Sequence, residues 1–280
     1  MDKVEILIAL PEDLRKKYME KTQMIGGQNA TKISKHVKPM KEVLSKLKYD
    51  FNAVNASVDL KELTDKLIDS KVKQYGMLFY GESGSGKSAL AEYLACKLGM
   101  PFLKKRASDL IGGIVGQTEA NIARAFEEAR KKGALLVIDE ADTFLFDRSK
   151  ATQMYQVGTT NELLTQMEDH PYPFIMTTNL KDKIDNACFR RFIFKIKFDY
   201  MKPENIEACA KTYFNKTLKL TEQEKAELKY LTAGDFKVAK QKMNILENKK
   251  YSRVNIIKYL KAEQNEKNII KGSKQIQLGA

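Results

Sequence analysis

Between Met77 and Ser88 the chain reads MLFYGESGSGKS, and these residue types suit the holding of phosphate. Gly81, Gly84 and Gly86 let the backbone N–H groups of the loop, those of Glu82, Ser83 and Ser85 among them, turn inward around a triphosphate. The helix expected from about Lys87 adds its positive N-terminal end. In the pattern Gly81-x-x-x-x-Gly86-Lys87-Ser88, the lysine would reach the outer phosphates of a triphosphate, and the Ser88 hydroxyl, just ahead of Ala89, would bind Mg2+. A glycine turn without a ligand has the same pattern, so context matters. Here an apolar strand precedes it (76–80), and a helix carrying Leu90, Tyr93, Leu94 and Leu98 follows. About fifty residues on, LLVIDE supplies two acids at the end of an apolar run. Asp139 is placed to enter the Mg2+ shell beside Ser88, and Glu140 to polarise an attacking water. The competing reading is a buried strand that ends in an acidic turn.

The elements that must position these residues alternate between strand and helix, the pattern of a parallel sheet. Strands are expected near 77–80, 101–104, 134–139, 174–178 and 192–198. ALLVID is apolar throughout and reads as a central strand, whereas in FIFKIKF Phe194, Ile196 and Phe198 alternate with Lys195 and Lys197. That polar face predicts a sheet edge. Asp59 or a neighbour caps a helix whose buried stripe is Leu60, Leu63, Leu67 and Ile68. Helices are expected over 119–130 and 154–167, and beyond Pro203 the pattern is purely helical: 204–218, 222–231, 236–247 and 254–264. The segments are therefore a basic helical N-terminal arm (1–50), an α/β core (51–199), a helical lid (200–263) and a frayed tail (264–280).

GESGSGKS, VIDEAD and Thr177-Thr178-Asn179 together resemble the AAA family within the AAA+ ATPases, over about residues 51–247. The resemblance implies a three-layer αβα P-loop fold with strand order 5-1-4-3-2, Mg2+-dependent ATP hydrolysis, and a homo-oligomeric ring, a hexamer, that remodels or unfolds a protein substrate. Asn179 would contact the attacking water or the γ-phosphate. DNACFRRF (185–192) resembles the segment that carries arginine fingers. Arg191 matches the nearer finger and the adjacent Arg190 fits only with a shift. Either would reach a neighbouring subunit's nucleotide, and the alternative is an edge salt bridge. Gly234 and Asp235, in AGDF, resemble the lid segment that closes over adenine. Ile114-Val115-Gly116 resembles the central pore loop, with Ile114 where relatives carry an aromatic; a plain glycine-rich loop is the other reading. Phe51 and Val54 are candidates for the adenine pocket, and Arg148 for an inter-subunit contact.

The net charge is +13, from 49 Lys and Arg against 36 Asp and Glu. The excess is lysine spread along the chain, which reads as a solvated surface more than a nucleic-acid footprint. It keeps open a second function, an AAA+ ATPase acting on DNA or a DNA-bound complex, as loaders and transposition helpers do. A third is a regulatory subunit that holds ATP and turns it over slowly. Cys96, Cys188 and Cys209 have no ligand-like spacing and His36 and His170 are isolated, so neither a structural metal nor a disulfide framework is expected, and a reducing cytoplasm fits. No apolar run reaches the roughly 20 residues of a membrane span. The opening MDKVEILIALPEDL is too short in its apolar part for a secretory signal.

Overall fold

The computed structural model describes residues 49–145, 154–180, 184–248 and 250–277. The basic helices expected before residue 49, and Arg148, lie outside these. In chain order the elements are a two-residue strand β1 (Asn55–Ala56), α1 (Leu60–Asp69), β2 (Gly76–Gly81), α2 (Lys87–Lys97), β3 (Phe102–Arg106) and the short α3 (Ala107–Leu110). There follow α4 (Gln117–Lys132), β4 (Leu135–Asp139), α5 (Met154–Asp169), β5 (Phe174–Thr178), α6 (Asn186–Arg191) and β6 (Phe194–Asp199). The last four helices are α7 (Ile206–Phe214), α8 (Glu222–Glu227), α9 (Ala233–Leu246) and α10 (Arg253–Gln277).

The strands form one sheet in the order β1-β6-β2-β5-β4-β3. Within it β2–β5, β5–β4 and β4–β3 pair in parallel. From β6 onward this is the expected 5-1-4-3-2 order, with one strand added. That strand corrects the edge assignment made for FIFKIKF: β1 lies outside β6 and pairs with it antiparallel, Asn55 opposite Asp199 and Ala56 opposite Phe198. The lysines of β6 had suggested a bare edge, but a two-residue strand is too short to show any periodicity of its own. The fold is α/β, with a sheet that is mainly parallel.

The chain divides into two compact units. The first takes in Asp59–Tyr80 and Ser88–Ile196. Its core joins Leu78, Leu136, Ile138 and Met176 from the strands to Ile122 and Phe126 of α4 and Leu163 of α5. Residues Leu135–Ile138 of β4 are all buried, as expected for a strand covered on both faces. Helix α4 buries Ile122, Ala125, Phe126 and Ala129, one stripe at helical spacing, and stops at Gly133 in the left-handed conformation, φ 58°. The second unit takes in Asp50–Val58, Gly81–Lys87 and the chain from Lys197. Its core is largely helical and includes Ile206, Phe214, Leu228, Phe236, Met243 and Leu260.

Three helical ends differ from the apolar spacing by four residues or more, one of them that of α8, which stops at Glu227 rather than Leu231. Helix α7 ends at Phe214 rather than near Leu218, because Asn215 turns left-handed (φ 52°) and its N–H donates to the Lys211 carbonyl. Helix α10 runs on to Gln277, past Gln264 where the apolar spacing fades.

Candidate active site

The glycine-rich loop belongs to the second unit. Gly81 has φ 120°, and a Cβ there would lie 2.0 Å from the carbonyl oxygen of Phe198, so no side chain fits. The Glu82 N–H donates to that same carbonyl at 3.1 Å. Gly84 and Gly86 also have positive φ, 71° and 97°. The Ser85 hydroxyl closes the loop by donating to the Glu82 carbonyl at 2.6 Å, and Ser83 is exposed at the tip. Lys87, the first residue of α2, is buried and donates to the carbonyls of Gly81 and Glu82 at 2.8 and 2.7 Å. Its ammonium is thus held against the loop.

Gly234 and Asp235 meet this loop in different ways. The Gly234 N–H donates to the Gly84 carbonyl at 2.9 Å, and a Cβ on Gly234 would approach the Gly84 Cα to 3.0 Å. Asp235 is buried and its carboxylate is already engaged. It accepts from the Thr232 N–H (2.6 Å) and hydroxyl (3.0 Å), capping α9, and pairs with Lys267 at 2.5 Å. The Tyr200 hydroxyl, which the sequence pattern gives no reason to single out, donates to the Glu82 carboxylate at 2.6 Å. Burial, then the Glu82 carboxylate, raises the Tyr200 phenol above its ordinary pKa and keeps it a donor.

The acidic residues belong to the first unit. Asp139 ends β4, and the Ser88 hydroxyl lies 3.1 Å from each of its carboxylate oxygens. Thr177, at the adjacent position on β5, donates to Oδ1 of Asp139. Lys104, from β3 on the other side, places its Nζ 2.5 Å from Oδ2. Burial alone would raise the Asp139 carboxyl, but Lys104, Thr177 and Ser88 together outweigh it and hold the group below its usual range. Asp139 is therefore an anion at neutral pH. A hydroxyl and an ionised carboxylate side by side are the hard oxygen donors that Mg2+ takes.

Glu140 follows in the left-handed conformation, φ 59° and ψ 43°, with its side chain exposed. Such a backbone is uncommon outside glycine and tends to mark functional sites. It is pinned by the Glu140 N–H, which donates to the Thr177 hydroxyl at 3.2 Å. Thr178 in turn donates to Asp142. Asn179 is exposed at the end of β5.

Arg190 and Arg191 end α6, and both are exposed. Arg191 forms an ion pair with Glu168 of α5. Ile114 and Val115 are 76 % and 87 % exposed, before a cavity of about 350 Å³ lined also by Thr118, Glu119, Phe144 and Thr159. Phe51 lies in a 3-10 turn capped by Asp50, with Val54 at its end.

Residues 77–200 match the family model described as ATPase family associated with various cellular activities (AAA). The chain is 32% identical over 209 residues to an ORF529 protein of Acidianus two-tailed virus, covering 65% of this chain and 40% of that one. It is 32% identical over 162 residues to the AAA family ATPase y4kL of Sinorhizobium fredii, covering 55% and 48%. Against the peroxisomal ATPase pex6 of Schizosaccharomyces pombe it is 29% identical over 158 residues, covering 52% and 17%. The chain thus spans less than half the length of each of these relatives. Residues 77–200 of this chain are therefore an AAA-family ATPase domain.

Proposed function

We propose that this chain hydrolyses ATP with Mg2+, as a subunit of a ring-forming assembly that remodels or unfolds a protein. The observation that carries the hydrolytic reading is the contact of Ser88 with both oxygens of an ionised Asp139, directly after a glycine loop closed around its own lysine. Residues 81–89 would hold the triphosphate through backbone N–H groups, with the Lys87 ammonium moving from the loop carbonyls to the phosphates. Ser88 and Asp139 would hold Mg2+, which when bound neutralises charge on the phosphate oxygens. Glu140 would orient and polarise the attacking water, and its pinned backbone fixes where that carboxylate starts. Asn179 would steady the same water or the γ-phosphate, and the backbone of Gly234 and Asp235 would shape the base pocket.

Arg191, with Arg190 beside it, would complete a neighbouring subunit's site by stabilising negative charge on the transferred phosphoryl group. The protein target rests on resemblance, and on relatives whose names include a peroxisomal ATPase and a homologue C of cell division control protein 48. The exposed Ile114 and Val115 supply a surface for gripping a polypeptide.

The test is Glu140→Gln. It should bind ATP as tightly as the native chain, and its turnover should fall by about 10²-fold or more, the typical worth of a positioned general base. Native turnover in this variant would remove Glu140 from the mechanism. Stimulation of the native ATPase by unfolded protein supports the proposed target. Stimulation by DNA alone, falling steeply with salt, would replace it with the nucleic-acid reading.

A further inference from the structure

On β3, Lys104 stands opposite Val137 of β4, and Asp139 lies two residues further along the same face. A lysine stem spans such a diagonal, and the Lys104 ammonium reaches Oδ2 of Asp139 at 2.5 Å. The pair is sheltered, with side-chain exposures of 31% and 16%. The neighbouring Lys105 points to the opposite face and pairs with Glu128 at 2.9 Å, so the two adjacent lysines serve different carboxylates. Around Asp139 three donors converge from three elements: Lys104 of β3 on Oδ2, Thr177 of β5 on Oδ1, and Ser88 of α2 on both oxygens.

This arrangement places a full positive charge on the carboxylate that is meant to serve a divalent cation. From it we infer that Lys104 acts as a resident cation, balancing Asp139 when no metal is bound and competing with Mg2+ for the same carboxylate. The inference rests on the assignment of Ser88 and Asp139 as the Mg2+ site. Its physical content is simple. A divalent cation, or the water it carries, must draw on lone pairs that Lys104 and Ser88 already use. It must also approach an ammonium that a neutral side chain would not present. Lys104 therefore lowers the advantage that Mg2+ gives to nucleotide binding. It sets the affinity for the metal, and its own role requires no contact with the nucleotide.

The experiment compares the affinity of the full chain for a fluorescent methylanthraniloyl-ATP in saturating Mg2+ and in EDTA. The readout is the ratio of the two dissociation constants, which needs no turnover. Lys104→Met keeps the apolar stem and removes the charge; the ratio should rise by about threefold to tenfold, the net worth of one ordinary polar contact. Lys104→Arg keeps a cation in place and should leave the ratio near the native value. Circular dichroism and a denaturation midpoint for each variant establish that it is folded. If Lys104→Met does not fold, Lys104→Gln and Lys104→Arg carry the same comparison. An unchanged or reduced ratio in a folded charge-free variant, with Mg2+ still strengthening native binding, overturns this inference alone. If Mg2+ does not strengthen binding to the native chain, the Ser88–Asp139 assignment fails and the inference fails with it.

Discussion

Gly81 illustrates how much a single residue is asked to do. With φ at 120° and the Phe198 carbonyl 2.0 Å from where a Cβ would stand, it lets the loop depart from β2 and the Glu82 N–H reach that same carbonyl. Gly81→Ala should lose about 1–3 kcal/mol from the backbone conformation alone, with the clash adding to it. The urea midpoint measures this. Gly113, with nothing within 4 Å of its would-be Cβ and no positive φ, is the control: Gly113→Ala should shift stability by no more than about 1 kcal/mol, in the stabilising direction if at all. Equal losses in the two variants would mean that the Gly81 conformation is not what matters. At this scale the loop and its two acids were legible because they are contiguous strings with fixed spacing. The contacts made by Lys104, Thr177 and Tyr200 were not, because each reaches its partner from a separate stretch of chain. The contacts of Lys104 and Thr177 depend on strand register, which no single stretch of sequence encodes.

The strands were legible as apolar runs, and their ends moved by only a residue or two. What the sequence hid at this level was the two-residue β1, the early stop at Asn215, and the way α5 turns into β5. That turn carries His170, fully buried, with its ring edge-on to Phe126 at 5.2 Å and to Phe174 at 6.2 Å. Neither ring nitrogen has a hydrogen-bond partner among the described residues. Burial, aided by the positive charge of Arg130, lowers its pKa to about 4. The unfolded chain binds this proton near pH 6.5, and the folded one resists it down to about pH 4. The His170 contribution is thus fully present above pH 6.5 and is lost as pH falls from there toward 4. Linkage puts the loss at roughly 3 kcal/mol over that window. His170→Leu should change the stability at pH 7.5 by whatever its packing dictates, but it should flatten the dependence between pH 7 and 4.5 by roughly 2–3 kcal/mol. Denaturant midpoints at several pH values decide this. Parallel pH profiles for variant and native chain would show that His170 titrates normally.

For the whole molecule, the arginines at the end of α6 bear on how copies of the chain would work together. Arg191 is tied to Glu168, yet both side chains are 48% exposed. An ion pair this open is worth about 0–1 kcal/mol, so Arg191 can leave it at little cost for a phosphate that a neighbour presents. Phosphate is also the stronger attractor, because it offers a guanidinium more charge and more acceptor oxygens. If the finger acts in trans, Arg191→Ala and Lys87→Ala should each abolish turnover alone, for different reasons. One lacks the group given to a neighbour and the other cannot hold its own nucleotide. When equal amounts are mixed and allowed to exchange, an interface is complete only where an Arg191→Ala subunit receives its finger from a Lys87→Ala subunit. In a head-to-tail ring that occurs at about one interface in four, so about a quarter of native turnover should return if sites act independently. Native-size rings with no recovery after exchange would place Arg191 in its own subunit's chemistry. The Arg191–Glu168 pair gives a further handle on the same question. Glu168→Gln frees the guanidinium without touching it, so it should leave turnover in the assembled ring intact. A large loss in that variant would mean that Glu168 orients the finger rather than merely parking it.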